Sequence, residues 1–209
     1  MDPKVDFKLY AIGDRAACAP RLLALVLKQA VQTGLRAVQV REKDLAPDAL
    51  YRLAEDVQRS VGGYGAKVLI NDRADIAAAV GAAGVHLTER SMPVAAARRI
   101  LGDAAVIGVS AHTAEAVEAA AGDGADFVVF GPVFQTASHP EAAPVGLMVL
   151  ERVTARVKLP VFAVGGIRPE TAAQCLAAGA RGVAVRGAVV GAASVRSAVR
   201  AFKAALGGL

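Results

Sequence analysis

The sequence has no tryptophan, 4% aromatic residues and only two cysteines in 209 residues. Cys18 and Cys175 stand far apart, so no metal-ligand or dithiol spacing exists, and each falls in a stretch expected to be helical. A small buried hydrophobe is the expected role of both. Eighteen consecutive apolar residues without a charge occur nowhere, and the opening Met1-Asp-Pro-Lys-Val-Asp lacks the apolar segment of a signal peptide. No membrane partner is expected, and a soluble, cytoplasmic protein follows. Nor is there a basic run. The net charge is +5, but the arginines are scattered and interleaved with acids. With few aromatics and no recognised motif, nucleic acid is excluded as the expected partner. The excess charge reads as a solvated outer face, part of which draws anionic substrates towards a site.

Small apolar residues, by contrast, are plentiful: hydrophobic residues make up 55%, much of it Ala and Val, which suits helices packed tightly on a buried sheet. Strand and helix patterns alternate from end to end. Strands are expected at 8–12, 35–40, 67–70, 84–87, 105–110, 126–131, 160–164 and 181–186. Helices are expected at 20–32, 47–60, from 75, 93–100, 113–121, 147–156, 169–177 and 194–205. Gly81-Ala-Ala-Gly84, Gly124-Ala-Asp126 and Gly179-Ala-Arg-Gly182 repeat at equivalent helix-to-strand positions. Eight strands each followed by a helix make a (β/α)₈ barrel, a single α/β domain over residues 1–209.

In such a barrel the C-terminal strand ends carry the active site, and polar residues collect there. The run Val68-Leu-Ile70 stops at Asn71-Asp72, a pair that suits Mg²⁺ or a diphosphate and equally suits a helix cap. Alternation turns Gln39, Arg41 and Lys43 to one side at the end of the second strand, where two cations fit a phosphate or diphosphate. The bland alternative is a solvated loop pair balanced by Glu42 and Asp44. His86 lies within the fourth strand and reads as well as a core histidine as a site residue. His112 follows Ser110 at the end of the fifth strand, with Thr113 as cap of the next helix, and can exchange protons near neutral pH. The longest connection, 131–146, has Thr136, Ser138 and His139 as its polar centre. Gly165-Gly166 and Arg186-Gly187 follow the last two strands, where helix N-termini bind phosphate in barrels.

These motifs together resemble the thiamine phosphate synthase / TenI family over nearly the whole chain. The matching segments are Leu9-Tyr-Ala-Ile-Gly-Asp14, Gln39-Val-Arg-Glu-Lys43, Ile70-Asn-Asp-Arg73, Gly84-Val-His-Leu87, Gly108-Val-Ser-Ala-His-Thr113, Gly131-Pro-Val-Phe-Gln-Thr136 and Val164-Gly-Gly-Ile167. The resemblance implies a phosphorylated thiazole as ligand and, in the synthase, a pyrimidine diphosphate with Mg²⁺. It places Gln39, Arg41, Lys43, Asn71, Ser110 and His139 at the pyrimidine diphosphate and Asp72 on the metal. Thr136, Ser138, Gly165, Gly166, Arg186 and Gly187 then fall at the thiazole phosphate. His112 falls on the acid-base histidine of the tautomerase branch. This sequence departs from the synthase pattern at Ser91, where the second metal carboxylate is expected, at His139, where the loop lysine is expected, and at Arg186-Gly187. The first two losses weaken the diphosphate end. They favour a thiazole tautomerase that uses His112 and needs no metal. The alternatives are the Mg²⁺-dependent synthase and a non-catalytic phosphate-binding homologue, and a homo-oligomer is compatible with all three.

Overall fold

The computed structural model describes residues 4–138 and 140–208, so Met1, Asp2, Pro3, His139 and Leu209 lie outside the described residues. The chain alternates β1 (Leu9–Gly13), α1 (Arg15–Cys18), α2 (Leu23–Gln32), β2 (Ala37–Val40), α3 (Pro47–Val61), β3 (Lys67–Asn71), α4 (Ala74–Ala79), β4 (Gly84–Leu87) and α5 (Val94–Leu101). It continues through β5 (Val106–Ala111), α6 (Ala114–Gly122), β6 (Phe127–Phe130), α7 (Gly146–Thr154), β7 (Val161–Val164), α8 (Pro169–Ala177), β8 (Gly182–Val185), α9 (Gly187–Val190) and α10 (Val195–Ala205). All eight strands pair in parallel with their sequence neighbours, and β1 pairs with β8 to close the barrel. The expected (β/α)₈ architecture is the observed one. Among the described residues no helix is long and apolar enough to cross a membrane.

Two hydrophobic cores follow from the strand period of two. Outward residues such as Val38, Ile70, Val85, Ile107, Val128 and Val183 meet the helix ring. Inward residues Tyr10, Ala37, Leu69, Val106, Phe127, Val129, Phe162 and Ala184 fill the lumen with Val5 and Phe7. Few aromatics are needed because those present are concentrated here: Phe7, Tyr10, Phe127 and Phe162 stack with ring centroids 5.1–5.9 Å apart. Gly108 makes room for this packing, since a Cβ there would lie 2.3 Å from the Phe127 ring.

Several boundaries differ from the sequence expectation. The stretch read as one helix from Pro20 is split. Asp14 caps α1 by accepting from Ala17 N at 3.0 Å, and Arg21 closes a turn on Cys18 before α2 begins at Leu23. The Arg21 guanidinium also donates to Val190 O and Ala192 O, at 2.7 and 2.9 Å, which fixes that turn against α9. β3 runs one residue further, because Asn71 pairs with His86 in register. β8 stops at Val185, since Arg186 leaves the strand (φ −109°, ψ −90°) to cap α9. Cys18 and Cys175 are buried and unpaired, as expected of small hydrophobes.

Candidate active site

Because the strands are parallel, the ends of all eight converge on one rim. At the end of β2, Arg41 follows the last paired residue and is fastened by its N–H to Gly13 O at 2.9 Å. The bland reading of this loop assigned Glu42 and Asp44 to neutralise Arg41 and Lys43. Instead both acids are engaged by Arg15. Its Nε lies 3.2 Å from Glu42 Oε2 and its Nη2 3.0 Å from Asp44 Oδ2, and its backbone N–H donates to Glu42 Oε1 at 2.7 Å. Among the described residues neither Arg41 nor Lys43 then forms an ion pair. Both line a cavity of about 560 Å³ with Asp14, Arg15, Ala16, Glu42 and Asp44. Burial lowers the pKa of Arg41, and the nearby Arg186 lowers it further. A half-buried guanidinium facing a second guanidinium is a place where an anion relieves a standing electrostatic cost.

Arg186 is expected from the sequence to add a full charge at the phosphate. It is held at both tips: Nη1 donates to Asp14 Oδ2 at 2.8 Å and Nη2 to Ser138 Oγ at 2.7 Å. It thus ties the ends of β1 and β8 to the connection after β6. Asp14 does two jobs there, capping α1 with one oxygen and pairing Arg186 with the other. In the sequence Asp14 is only the last residue of the segment Leu9–Asp14. The signal that could have found it is the helix-capping pattern of an Asp followed by Arg-Ala-Ala.

The long connection after β6 is pinned at both ends. Val133 N donates to Val164 O at 2.7 Å and Phe134 N to Gly165 O at 3.1 Å, while Val145 N returns to Pro132 O at 2.8 Å. Thr136 Oγ1 accepts from Ser138 N at 3.3 Å, which curls the polar centre of the loop. This anchoring corrects the reading of Gly165-Gly166. They do not sit at a helix N-terminus, because Ile167 and Arg168 intervene before α8. Their positive φ of 95° and 64° and the absence of side chains let the connection pass close by: a Cβ on Gly166 would lie 2.3 Å from Gln135 O. Gly187, exposed, opens the four-residue α9.

On the opposite side, Asn71 is buried at the end of β3 and Asp72 is exposed beyond it. Asp72 has φ +65°, the one positive value at a non-glycine among the described residues. Arg73 N donates across it to Asn71 O at 2.8 Å, so Asp72 is the centre of a three-residue turn of the rarer, strained hand. Ser91, at the position where a carboxylate was expected, is folded back on its own loop. Its Oγ accepts from Thr88 N at 2.7 Å and lies 3.0 Å from Thr88 Oγ1.

Between these two sides a polar chain crosses the lumen. Gln39, 1% exposed, donates from Nε2 to Tyr10 Oη at 3.0 Å, and its Oε1 has no hydrogen-bond partner among the described residues. Tyr10 Oη lies 3.5 Å from His86 Nδ1, and His86 Nε2 lies 2.9 Å from Ser110 Oγ. Burial first, and Arg41 second, push the His86 pKa down to about 3, so the ring is neutral at pH 7. Burial also raises the Tyr10 pKa, so its phenol keeps its proton. His112 stands exposed at the rim beyond β5, its Nδ1 donating to Gly131 O at 2.6 Å, and Thr113 caps α6 as expected. In the neutral ring that bond leaves Nε2 with the lone pair.

A family model described as "Thiamine monophosphate synthase" matches residues 9–189. A protein of Geobacter sulfurreducens named "Putative thiamine-phosphate synthase" is 46% identical over 204 residues, which cover 97% of this chain and 96% of the relative. A thiamine-phosphate synthase of Clostridium novyi is 42% identical over 188 residues, 89% of this chain and 92% of the relative. Among solved structures, the thiamine phosphate pyrophosphorylase of Pyrococcus furiosus superposes with a TM-score of 0.88 at 33% identity, covering 98% of this chain and 97% of its own.

Proposed function

The chain belongs to the thiamine monophosphate synthase family, and from that premise we propose that it is a synthase. It joins hydroxymethylpyrimidine diphosphate to a thiazole phosphate: the C–O bond to the diphosphate breaks, the thiazole nitrogen bonds to the freed methylene carbon, and diphosphate leaves. The observation that carries this reading is the unpaired Arg41–Lys43 cation pair on a rim cavity whose neighbouring acids are already committed to Arg15. Fixed cations placed where the leaving group gains charge are typically the largest catalytic contribution. Arg41 and Lys43 hold the diphosphate, with Asn71 and Ser110 beside it and Gln39 facing the pyrimidine from the lumen. Thr136, Ser138, Gly165, Gly166, Arg186 and Gly187 lie towards the thiazole phosphate.

The metal that the resemblance implies for this reaction fits poorly. Asp72 offers one carboxylate, Ser91 is occupied by Thr88, and no group of three or more His, Cys, Asp or Glu side chains comes together among the described residues. The carboxylate pair that the synthase pattern places at Asp72 and position 91 is therefore incomplete, and in this proposal the charge on the leaving diphosphate falls to the arginine and lysine side chains.

A second reading, isomerisation of a thiazole carboxylate phosphate, is favoured by one observation. His112 is oriented by Gly131 O with a basic nitrogen left at the rim. Incubation with both precursors, with and without Mg²⁺, separates the two. The synthase forms thiamine phosphate and diphosphate in equal amounts. If neither forms while the thiazole carboxylate phosphate is aromatised, and His112→Ala slows that step by about 10²–10⁴-fold, the tautomerase reading replaces it.

A further inference from the structure

His86 is a buried titratable side chain for which the proposed reaction has no use. It is 2% exposed, and its ring is wedged between Tyr10 and Phe127, with centroids 5.7 and 5.8 Å away. Gly108 is shaped to the ring as well, since a Cβ there would approach His86 Nδ1 to 2.8 Å. The imidazole therefore has a fixed orientation, and its two nitrogens have fixed neighbours.

The chain through it has a direction. A carboxamide nitrogen can only donate, so Gln39 Nε2–H gives its proton to Tyr10 Oη. Tyr10 then has its own proton free for the next neighbour, His86 Nδ1, although at 3.5 Å that contact is long. A neutral imidazole that accepts at Nδ1 carries its proton on Nε2, and that proton goes to Ser110 Oγ at 2.9 Å. Ser110, half-buried at the end of β5, is left with its hydroxyl proton available to the mouth. Had the chain run the other way, Ser110 would spend its proton on His86 and present lone pairs to an anion.

We propose that His86 is a positioning residue that holds Ser110 as a hydrogen-bond donor towards an anionic oxygen of the bound substrate. This rests on the reading of the mouth as a diphosphate site. The polarity originates at Gln39, is carried through the lumen, and is delivered at the rim by a side chain that never touches substrate.

Nitrogen-15 spectra of histidine-labelled, ligand-free protein test the proposal directly, with the His86 signal assigned by its loss in His86→Phe. The Nε2–H tautomer is expected, and the Nδ1–H tautomer overturns the proposal. Calorimetry with inorganic pyrophosphate then reads the coupling. Ser110→Ala and His86→Phe should each weaken binding by about tenfold, the lower range for a hydrogen bond to a charged group. The double variant should be no weaker than Ser110→Ala alone. A purely structural role for His86 predicts additive losses of about a hundredfold, and that result also overturns the proposal. Wild-type protein that binds no pyrophosphate would count against the proposed coupling reaction, and the tautomer would still decide the role of His86.

Discussion

The two rims of this barrel differ in how fully their cations are paired. At the N-terminal rim, Asp6 receives Lys67 Nζ at 2.6 Å and Arg36 Nη2 at 2.7 Å, which ties the chain before β1 to the starts of β2 and β3. Asp126 receives Arg98 Nη2 at 2.8 Å, Lys4 Nζ at 3.2 Å and the backbone N–H of Ile107 at 2.7 Å. The C-terminal rim, where the strands end, also carries ion pairs, Arg15 with Glu42 and Asp44 and Arg186 with Asp14, but among the described residues it leaves two cations, Arg41 and Lys43, without one. A charge left without a partner in a half-buried place, as at Arg41, costs stability, a cost that the proposed diphosphate site would explain. The lesson is local: which acids an arginine engages tells more about a site than how many acids are nearby.

The largest expected effect tests the C-terminal rim. Arg41→Ala should lower kcat/KM for coupling by about 10²–10³, the range for one fixed donor at a developing oxyanion. The melting temperature should hold or rise, because a cation destabilised by burial is removed. A loss of stability without a loss of rate would move Arg41 into the structural class and break the comparison.

Next in size is the mirror experiment. Asp126→Ala removes the carboxylate that Lys4 and Arg98 share and leaves the buried N–H of Ile107 without its acceptor, and should cost about 3 kcal/mol. For a chain of this length that lowers the melting temperature by about 6–12 °C, with turnover per folded molecule unchanged. A rate effect of the same size as that of Arg41→Ala would show that the two rims are not functionally separate.

His86 lies between the rims and gives the third test. The unfolded chain takes up a proton on this residue near pH 6.5, and the folded ring does so only near pH 3. The associated stability is therefore fully present above pH 6.5 and is lost progressively as pH falls towards 3. Between pH 6.5 and 5, before most carboxylates titrate, the loss should be about 2 kcal/mol. Urea midpoints measured across that range should fall in the wild type and stay flat in His86→Phe. Equal slopes would mean that the ring is protonated in the folded state.

The smallest effect sharpens the contrast at one residue. Asp72 holds φ +65°, so Asp72→Gly should be more stable than Asp72→Ala by about 1 kcal/mol. Chemical denaturation of the two variants measures the difference. Equal midpoints would show that the turn at Asp72 stores no strain.

Much of this was legible in the sequence. Strand period, helix period and glycine punctuation placed all eight strands within a few residues and gave the closed barrel, because inward and outward faces alternate locally and need no knowledge of distant contacts. The same logic put Gln39, Asn71, Ser110 and Arg186 at or near one end. It missed α1, a four-residue helix hidden behind a strand end, and it ran β8 through Arg186, because nothing in Val-Arg-Gly marks where the backbone turns away.

Ion partners were beyond the sequence altogether. Glu42 and Asp44 adjoin Arg41 and Lys43 in the chain, yet both belong to Arg15, 27 and 29 residues earlier. Asp14 is joined to Arg186 across 172 residues, which only barrel closure brings together. The chain by itself determined the eightfold alternation and the set of polar residues at the strand ends, since both are written in local spacing. Only the tertiary structure decided which charges are spent on one another and which way the Gln39–Ser110 chain points. Pairing and hydrogen-bond direction depend on distances of about 3 Å between residues far apart in sequence.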